Sequence, residues 1–556
     1  MSVHLVLCII VLYFALILGV TWLTTRRQAS ARAFYVGDRR SPWWAVAVAM
    51  IGTSISGVTF ISVPGMVAAT QFSYMQMVLG FTAGYFAVAY VLLPLYYRLN
   101  LCSIYGYLDR RYGAASYRTG SVFFLISKFL GCGVRMYLTA LVLQLVLFDG
   151  LGVPFGLNVA ATMLVVWLYT FRGGVKTLVW TDMLQTLCLL AAVVCCIWSV
   201  CRAMGLDAAG LWHTVADSEM SRTWFFDDVN DRRFFWKQFL AGMFTTVAMT
   251  GLDQDMMQKN LACRTLRDAQ KNVVSYGFGF LPVNLLFLAL GVLLYTYAAR
   301  LGLFAPAAGS AAGSAATALT TLEGTPLKSD ELFAYLATAS SPATGLPLLP
   351  TAVGVLFVLG LIAAAFSSAG SAVTALTTSV TIDLLHADRP AAAPASADAT
   401  ASPATAGCTP ARASASSPAE SSTEAERRQR RIRSRVHIVN TVVMGVLIYL
   451  FRVIGNTSVI DAVYVLASYT YGPLLGLYLF GLCTRRRPRD RWVPAVCLLS
   501  PLLCLVVSLN SEAWLGGYKM GYELLLLNGA LTVLGLWLAS VGRKGLETTN
   551  DTPTTT

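Results

Sequence analysis

The sequence predicts an all-α polytopic membrane protein with about 13 transmembrane helices, and three observations predict it. Of 556 residues, 56% are hydrophobic and only 12% are charged. Thirteen apolar stretches are long enough to cross a hydrocarbon core of about 30 Å. About thirty of the 41 Lys and Arg fall in every second loop between those stretches, which marks those loops as cytoplasmic. Outer-membrane barrel strands would show about ten residues of strict alternation, and the chain has no such segment.

The stretch 3–23 has no basic flank before it and carries Arg26, Arg27, Arg32, Arg39 and Arg40 after it, so it reads as a retained helix, not a cleaved signal. The next, 43–68, contains GTSISG at 52–57 and then Pro64–Gly65. Stretches 74–97, 119–148, 155–171 and 178–201 follow, with the basic cluster Arg98 to Arg118 between the first two. Residues 202–235 form an outer loop. The stretch 236–256 is interrupted at Thr245–Thr246 and Thr250–Gly251, and the basic run Lys259 to Lys271 leads to 271–299. Then come 349–385, 436–451, 457–482, 492–510 and 519–541, with Arg427 to Arg435 and Arg485 to Arg491 on the cytoplasmic side. An odd number of spans puts the amino terminus outside the cell (inner) membrane and the tail, with Arg543 and Lys544, inside.

Ala308 to Ala318, and Pro390 to Ala425 within an insertion at 387–426, are rich in Ala, Ser, Thr, Gly or Pro and have almost nothing large to bury, so both are expected to be disordered. The basic run RRQRRIRSR that follows reads as a topological stop, with binding of anionic lipid heads as the alternative.

A net charge of +13 suggests nucleic acid at first sight, but its loop placement is that of a membrane protein, so no nucleic-acid partner is expected. Most of the twelve cysteines lie within or beside spans and read as small packing residues, and no CxxC pattern occurs. Four scattered histidines give no metal cluster and no nucleophile–base pair, so the chain is not expected to be an enzyme.

Interruptions at matching places in two halves of a transporter free backbone groups near the midplane, where an ion or solute can bind. Gly and Ser that merely allow tight packing are the alternative. The stretch Ala363 to Leu385 presents one face made of hydroxyls and small residues, suited to a small cation that needs oxygens.

RGGVKTLVWTDMLQ at 172–185, DQDMMQKNLACRTLRDAQK at 253–271 and SSAGSAVTALTTSVTID at 367–383 resemble the signature segments of the sodium/solute symporter family. The resemblance runs from about Trp43 to Arg486 and implies a leucine-transporter-like fold of two inverted five-helix repeats, 43–201 and 236–486. An extra helix and loop, 1–42, would precede them, and two helices and a tail, 487–556, would follow. It also implies a sodium ion between core helices one and eight. Carried onto this chain, its ligands are the carbonyls of Gly52, Ile55 and Ala364 and the hydroxyls of Ser367 and Ser368. Helical geometry agrees, because Ala364 precedes the serines by three and four residues and so shares their face. Asp182, with Ser367 and Ser371, matches a second sodium site or exit route in some relatives. Gly370 stands where those relatives have another hydroxyl, and an ion pair of Asp182 with Arg172 or Lys176 is the structural alternative.

For the solute, the resemblance points to Ser56, Thr59, Phe60, Tyr74, Thr246, Met249, Thr250 and Val465, a small, mildly polar set that disfavours hexoses. Arg135 lies mid-span with Lys128 seven residues earlier on about the same face. If it faces the pocket it suits an anionic solute; the alternative is an ion pair or carbonyl contact with a neighbouring helix. The expectation is a monomeric sodium-coupled importer of a small organic solute, working by alternating access in a lipid bilayer. Proton-coupled or facilitated transport, or a transporter-like sensor, are the alternatives.

Overall fold

The computed structural model describes residues 3–25, 34–35, 37–171, 173–306, 317–342, 344–386, 419–454, 459–514, 516, 518 and 520–540. Most of the two expected disordered segments, Arg172, and the tail with Arg543 and Lys544 lie outside the described residues.

In hydrocarbon every backbone polar group must be satisfied within the protein, so the apolar stretches become helices. In chain order these are α1 (Val3–Thr25), α2 (Trp43–Ser54), α3 (Gly57–Thr70) and α4 (Tyr74–Ala87), which runs on through a wider turn at Val88–Leu92 into Leu93–Arg98. A short α5 (Gly106–Arg111) leads to α6 (Ala114–Leu143), α7 (Phe155–Thr170) and α8 (Gly174–Met204). The loop that follows carries α9 (Ala208–Ala216), and then come α10 (Phe235–Thr246), α11 (Gln254–Asn260) and α12 (Leu266–Arg300). The second half closes with α13 (Leu332–Thr338), α14 (Thr351–Ser379), α15 (Ala419–Ile454), α16 (Val459–Cys483), α17 (Val493–Trp514) and α18 (Leu524–Ala539). Among the described residues, nine helices are long and apolar enough to cross a membrane, and α2, α7 and α18 are shorter apolar helices. An antiparallel ribbon, β1 (Phe304–Pro306) with β2 (Thr317–Leu319), is a small departure from the all-helical expectation.

Small residues set the packing. A Cβ on Gly80 would lie 2.1 Å from the Phe239 carbonyl oxygen, and one on Gly242 would lie 2.2 Å from that of Met77, so α4 and α10 touch backbone to backbone. Helix α8 packs against both α2 and α14, and α16 packs against α6 and α18. The last two helices are pinned to this core by polar bonds. Asp490 accepts from the amides of Ala115 and Ser116 at 2.9 Å, capping α6, and Asn528 donates to the Ser468 carbonyl at 2.9 Å.

Candidate functional site

The chain between α2 and α3 is not helical: Ile55 (φ −81°, ψ 100°) and Ser56 (φ −90°, ψ 173°) are extended. The Ile55 amide still bonds the Ile51 carbonyl at 2.9 Å, but among the described residues no donor reaches the carbonyls of Gly52 or Ile55. A buried carbonyl without a donor is costly unless a ligand satisfies it.

Helix α14 runs antiparallel past this break. A Cβ on Gly57 would lie 3.0 Å from Leu361 Cδ1, while Thr53 and Ser371 both donate to Asp182 Oδ2, at 3.4 and 3.0 Å. Residues 364–368 are therefore level with Ile55–Ser56. Ser367 is fully buried, and its hydroxyl has no partner among the described residues. Ser368 and Ser56 line the same cavity. Gly370 has a packing reason: a Cβ there would fall 2.0 Å from the Tyr169 hydroxyl, which donates to the Phe366 carbonyl. Tyr169 thus occupies the space of a side chain at position 370.

Asp182 and Ser371 do come together, but with a third group absent from the sequence reading. Lys259 Nζ lies 2.6 Å from Asp182 Oδ2 and also bonds Thr53. Both charged side chains are buried, Asp182 at 0% and Lys259 at 1% exposure. The partner of Asp182 is therefore Lys259 of α11, not Lys176. One oxygen of Asp182, Oδ1, has no hydrogen-bond partner among the described residues.

The second break lies at Leu252–Asp253, between α10 with its wider turn Val247–Gly251 and α11. Here the freed carbonyls are filled: Tyr96 donates to Gly251 at 2.9 Å and Tyr105 to Leu252 at 3.0 Å. Asp253 caps α11 by accepting from the Asp255 amide at 2.8 Å, and also accepts from Tyr471 at 2.5 Å. Lys128 of α6 completes the group, 3.1 Å from Asp253 and 2.7 Å from Asp255.

Between the two breaks is a cavity of ≈ 120 Å³. Ser56, Thr59, Tyr74, Arg135, Thr246, Met249 and Thr250 line it. Phe60 and Val465 do not, and for these two the structure corrects the sequence reading. A helical step of about 100° turns Phe60 away from Thr59's side, into a cluster with Phe287, Phe333 and Phe357. Val465 is turned outward at 39% exposure, and Val463, Tyr464, Ala467 and Tyr471 supply the α16 wall instead. Lys128 is committed to its two carboxylates, whereas Arg135 makes no salt bridge among the described residues.

Sequence reasoning missed Ser54, Tyr85, Tyr276 and Tyr471 on the cavity wall, and the charges of Asp253 and Lys259. Two of the tyrosines form a chain in which Tyr85 donates to Tyr276 at 2.7 Å and Tyr276 meets Ser54 at the end of α2. The two charges had a signal: both sit in the motif that begins at Asp253, in a segment flanked by apolar runs.

The family model described as "SSF: Sodium:solute symporter family" matches residues 34–384. The human sodium/iodide cotransporter is 28% identical over 248 residues, 44% of this chain and 37% of that protein. The human sodium-coupled monocarboxylate transporter 2 is 28% identical over 251 residues, 44% of this chain and 39% of that protein. The chain thus spans under two-fifths of the length of these curated relatives. A solved structure, the substrate-bound outward-open state of a Na+-coupled sialic acid symporter, aligns over 98% of both chains with a TM-score of 0.72 and 17% identity. The fold is therefore the leucine-transporter-like arrangement of that structure.

Proposed function

The chain belongs to the sodium:solute symporter family, and from that premise we propose that it is a sodium-coupled secondary active transporter that imports a small organic anion by alternating access. One observation carries the reading: at the α2–α3 break the carbonyls of Gly52 and Ile55 and the buried hydroxyl of Ser367 all lack partners among the described residues, a set of oxygens suited to a cation. The carbonyl of Ala364 and the hydroxyl of Ser368 complete a five-oxygen cradle with no carboxylate. Such a cradle binds sodium weakly enough to release it in each cycle.

Lys259 already supplies the positive charge at Asp182, which favours one sodium per cycle at the cradle and leaves Asp182 on the exit route. Arg135 supports the anionic solute, because an intramembrane cation without a carboxylate partner attracts a negative ligand. The names of the human relatives point the same way, since iodide and monocarboxylates are both anions. Ser56, Thr59, Tyr74, Thr246, Met249 and Thr250 then shape the space beside Arg135. Two five-helix repeats, 43–201 and 236–486, surround this centre in a monomer whose amino terminus is outside and whose carboxyl terminus is cytoplasmic.

Uptake by proteoliposomes tests the reading. A panel of labelled carboxylates and neutral solutes is offered with an inward sodium gradient, then with a proton gradient alone. Sodium-driven accumulation of a carboxylate, abolished in Arg135→Gln while sodium binding persists, is expected. Accumulation indifferent to sodium, or full activity in Arg135→Gln, refutes it.

A further inference from the structure

A second cavity, of ≈ 150 Å³, opens beside the outer loop and shares Tyr74 with the central one. Its wall carries Arg232, Arg233, Lys237 and one carboxylate, Glu523. Arg233 is paired with Asp231 at 2.8 Å and bonds Gln71, whereas Glu523, held at Oε1 by the neutral donors Tyr518 at 2.9 Å and the Gly521 amide at 2.8 Å, keeps its negative charge. Lys237 makes no ion pair within 4 Å among the described residues. Its Nζ is buried, has no hydrogen-bond acceptor among the described residues, and sits 3.9 Å from the centre of the Tyr518 ring. Arg232, exposed at the rim, makes no salt bridge among the described residues.

A buried ammonium without an acceptor is expensive, and the ring face recovers only part of the lost solvation. An anion entering the cavity would satisfy it. The inner boundary of the cavity is Tyr74, whose hydroxyl meets that of Tyr464 at 3.2 Å, and Arg135 stands on the far side of this pair in the central cavity. Two cations without ion pairs among the described residues thus flank one pair of tyrosines.

We propose that Lys237, with Arg232 at the rim, forms an outer subsite for small organic carboxylates, where the anion is held before the Tyr74–Tyr464 contact opens to Arg135. This rests on the anionic-solute reading of the central cavity. The outer subsite raises the local concentration of anions over that of neutral solutes before the sodium-dependent step.

The test uses the purified full-length protein and labelled benzoate in sodium-free buffer, in an Arg135→Gln background so that the central cation is gone. Arg135→Gln is expected to bind benzoate. Adding Lys237→Met weakens that binding about tenfold or more, because a hydrogen bond to a charged group is worth roughly 1.5–3 kcal/mol. Lys237→Arg in the same background keeps binding close to the parent and shows that the fold tolerates the site. With Arg135 intact, Lys237→Met raises KM for carboxylate uptake while kcat holds. Benzoate binding that is equal with and without Lys237, or absent from Arg135→Gln, overturns the outer subsite. If Arg135→Gln transports normally yet binding still depends on Lys237, it is the central reading that fails.

Discussion

Replacing Lys259 by Met removes an ammonium from a pocket where both partners are essentially sealed from solvent. Asp182 then keeps only the hydroxyls of Ser371 at 3.0 Å and Thr53 at 3.4 Å, with Oδ1 still bare. Breaking a buried pair on one side costs about 3–5 kcal/mol, because the remaining charge is uncompensated. Removing both charges in Lys259→Met/Asp182→Asn recovers most of that loss, since neither side is then left ionised. The assay is unfolding by SDS titration in detergent micelles with N-methylglucamine as the only cation. Sodium adds a second arm: if it replaces the ammonium beside Asp182 in Lys259→Met, sodium at a hundred times its Kd returns about 2.7 kcal/mol, over half of even the larger loss. The wild type, whose Lys259 fills that place, gains only what the Ser367–Ser368 cradle provides. A single variant as stable as the wild type without sodium, or a double variant no better than the single one, refutes the reasoning.

Ser368→Ala should raise the sodium concentration for half-maximal uptake about tenfold or more, as a lost bond to a charged partner costs roughly 1.5–3 kcal/mol; unchanged sodium dependence removes it from the cradle. Ser367→Ala separates two effects: deleting a buried hydroxyl that has no partner leaves sodium-free stability unchanged or higher, yet sodium affinity falls, and a large loss of sodium-free stability contradicts this. Gly370→Ser drives a Cβ to within 2.0 Å of the Tyr169 hydroxyl, an overpacking expected to cost about 1–3 kcal/mol that Tyr169→Phe partly relieves, as thermal unfolding of the single and double variants will read. Gly57→Ala brings a Cβ within 2.4 Å of Thr139 Oγ1, so α3 must move from α6, and sodium-driven uptake should drop while expression persists.

The helices were legible because their signal is collective: a stretch such as Thr351–Ser379 is apolar over many turns, and no single residue decides it. The two breaks were legible for a different reason. GTSISG and Thr250–Gly251 put small and hydroxyl-bearing residues in the middle of apolar runs, where helix propensity is weakest. Illegible were the long-range pairings. Lys259 reads as a loop cation, and only the fold of α11 back between α2 and α8 brings it to Asp182, 77 residues away. Val465 and Phe60 failed on phase: helical rotation beside a break cannot be counted from sequence, and one position of error turns a side chain from the cavity to lipid or core.

The two breaks are built alike and finished differently, and the finish decides what each can hold. At Leu252–Asp253 two tyrosine hydroxyls cap the freed carbonyls, and the carboxylate of Asp253 is shared by Lys128, Tyr471 and the start of α11. The carbonyls freed at Gly251 and Leu252 are thus spent inside the protein and leave no open pair for a cation among the described residues. At Ile55–Ser56, among the described residues, no such bond is made to the carbonyls of Gly52 and Ile55. The neighbouring residues are nonetheless fixed, Thr53 by Asp182 and Lys259 and Ser54 by Tyr276, so the open oxygens are held in place without being satisfied. Preorganised, unsatisfied oxygens cost stability in the empty protein, and only a ligand that engages them returns it. Because Ser56 and Thr59 continue from that break into the wall opposite Arg135, an ion that draws α14 toward Ile55 also sets the solute's wall. In the proposed symport, coupling between ion and solute needs no third element, and by linkage each would raise the other's affinity by the same factor.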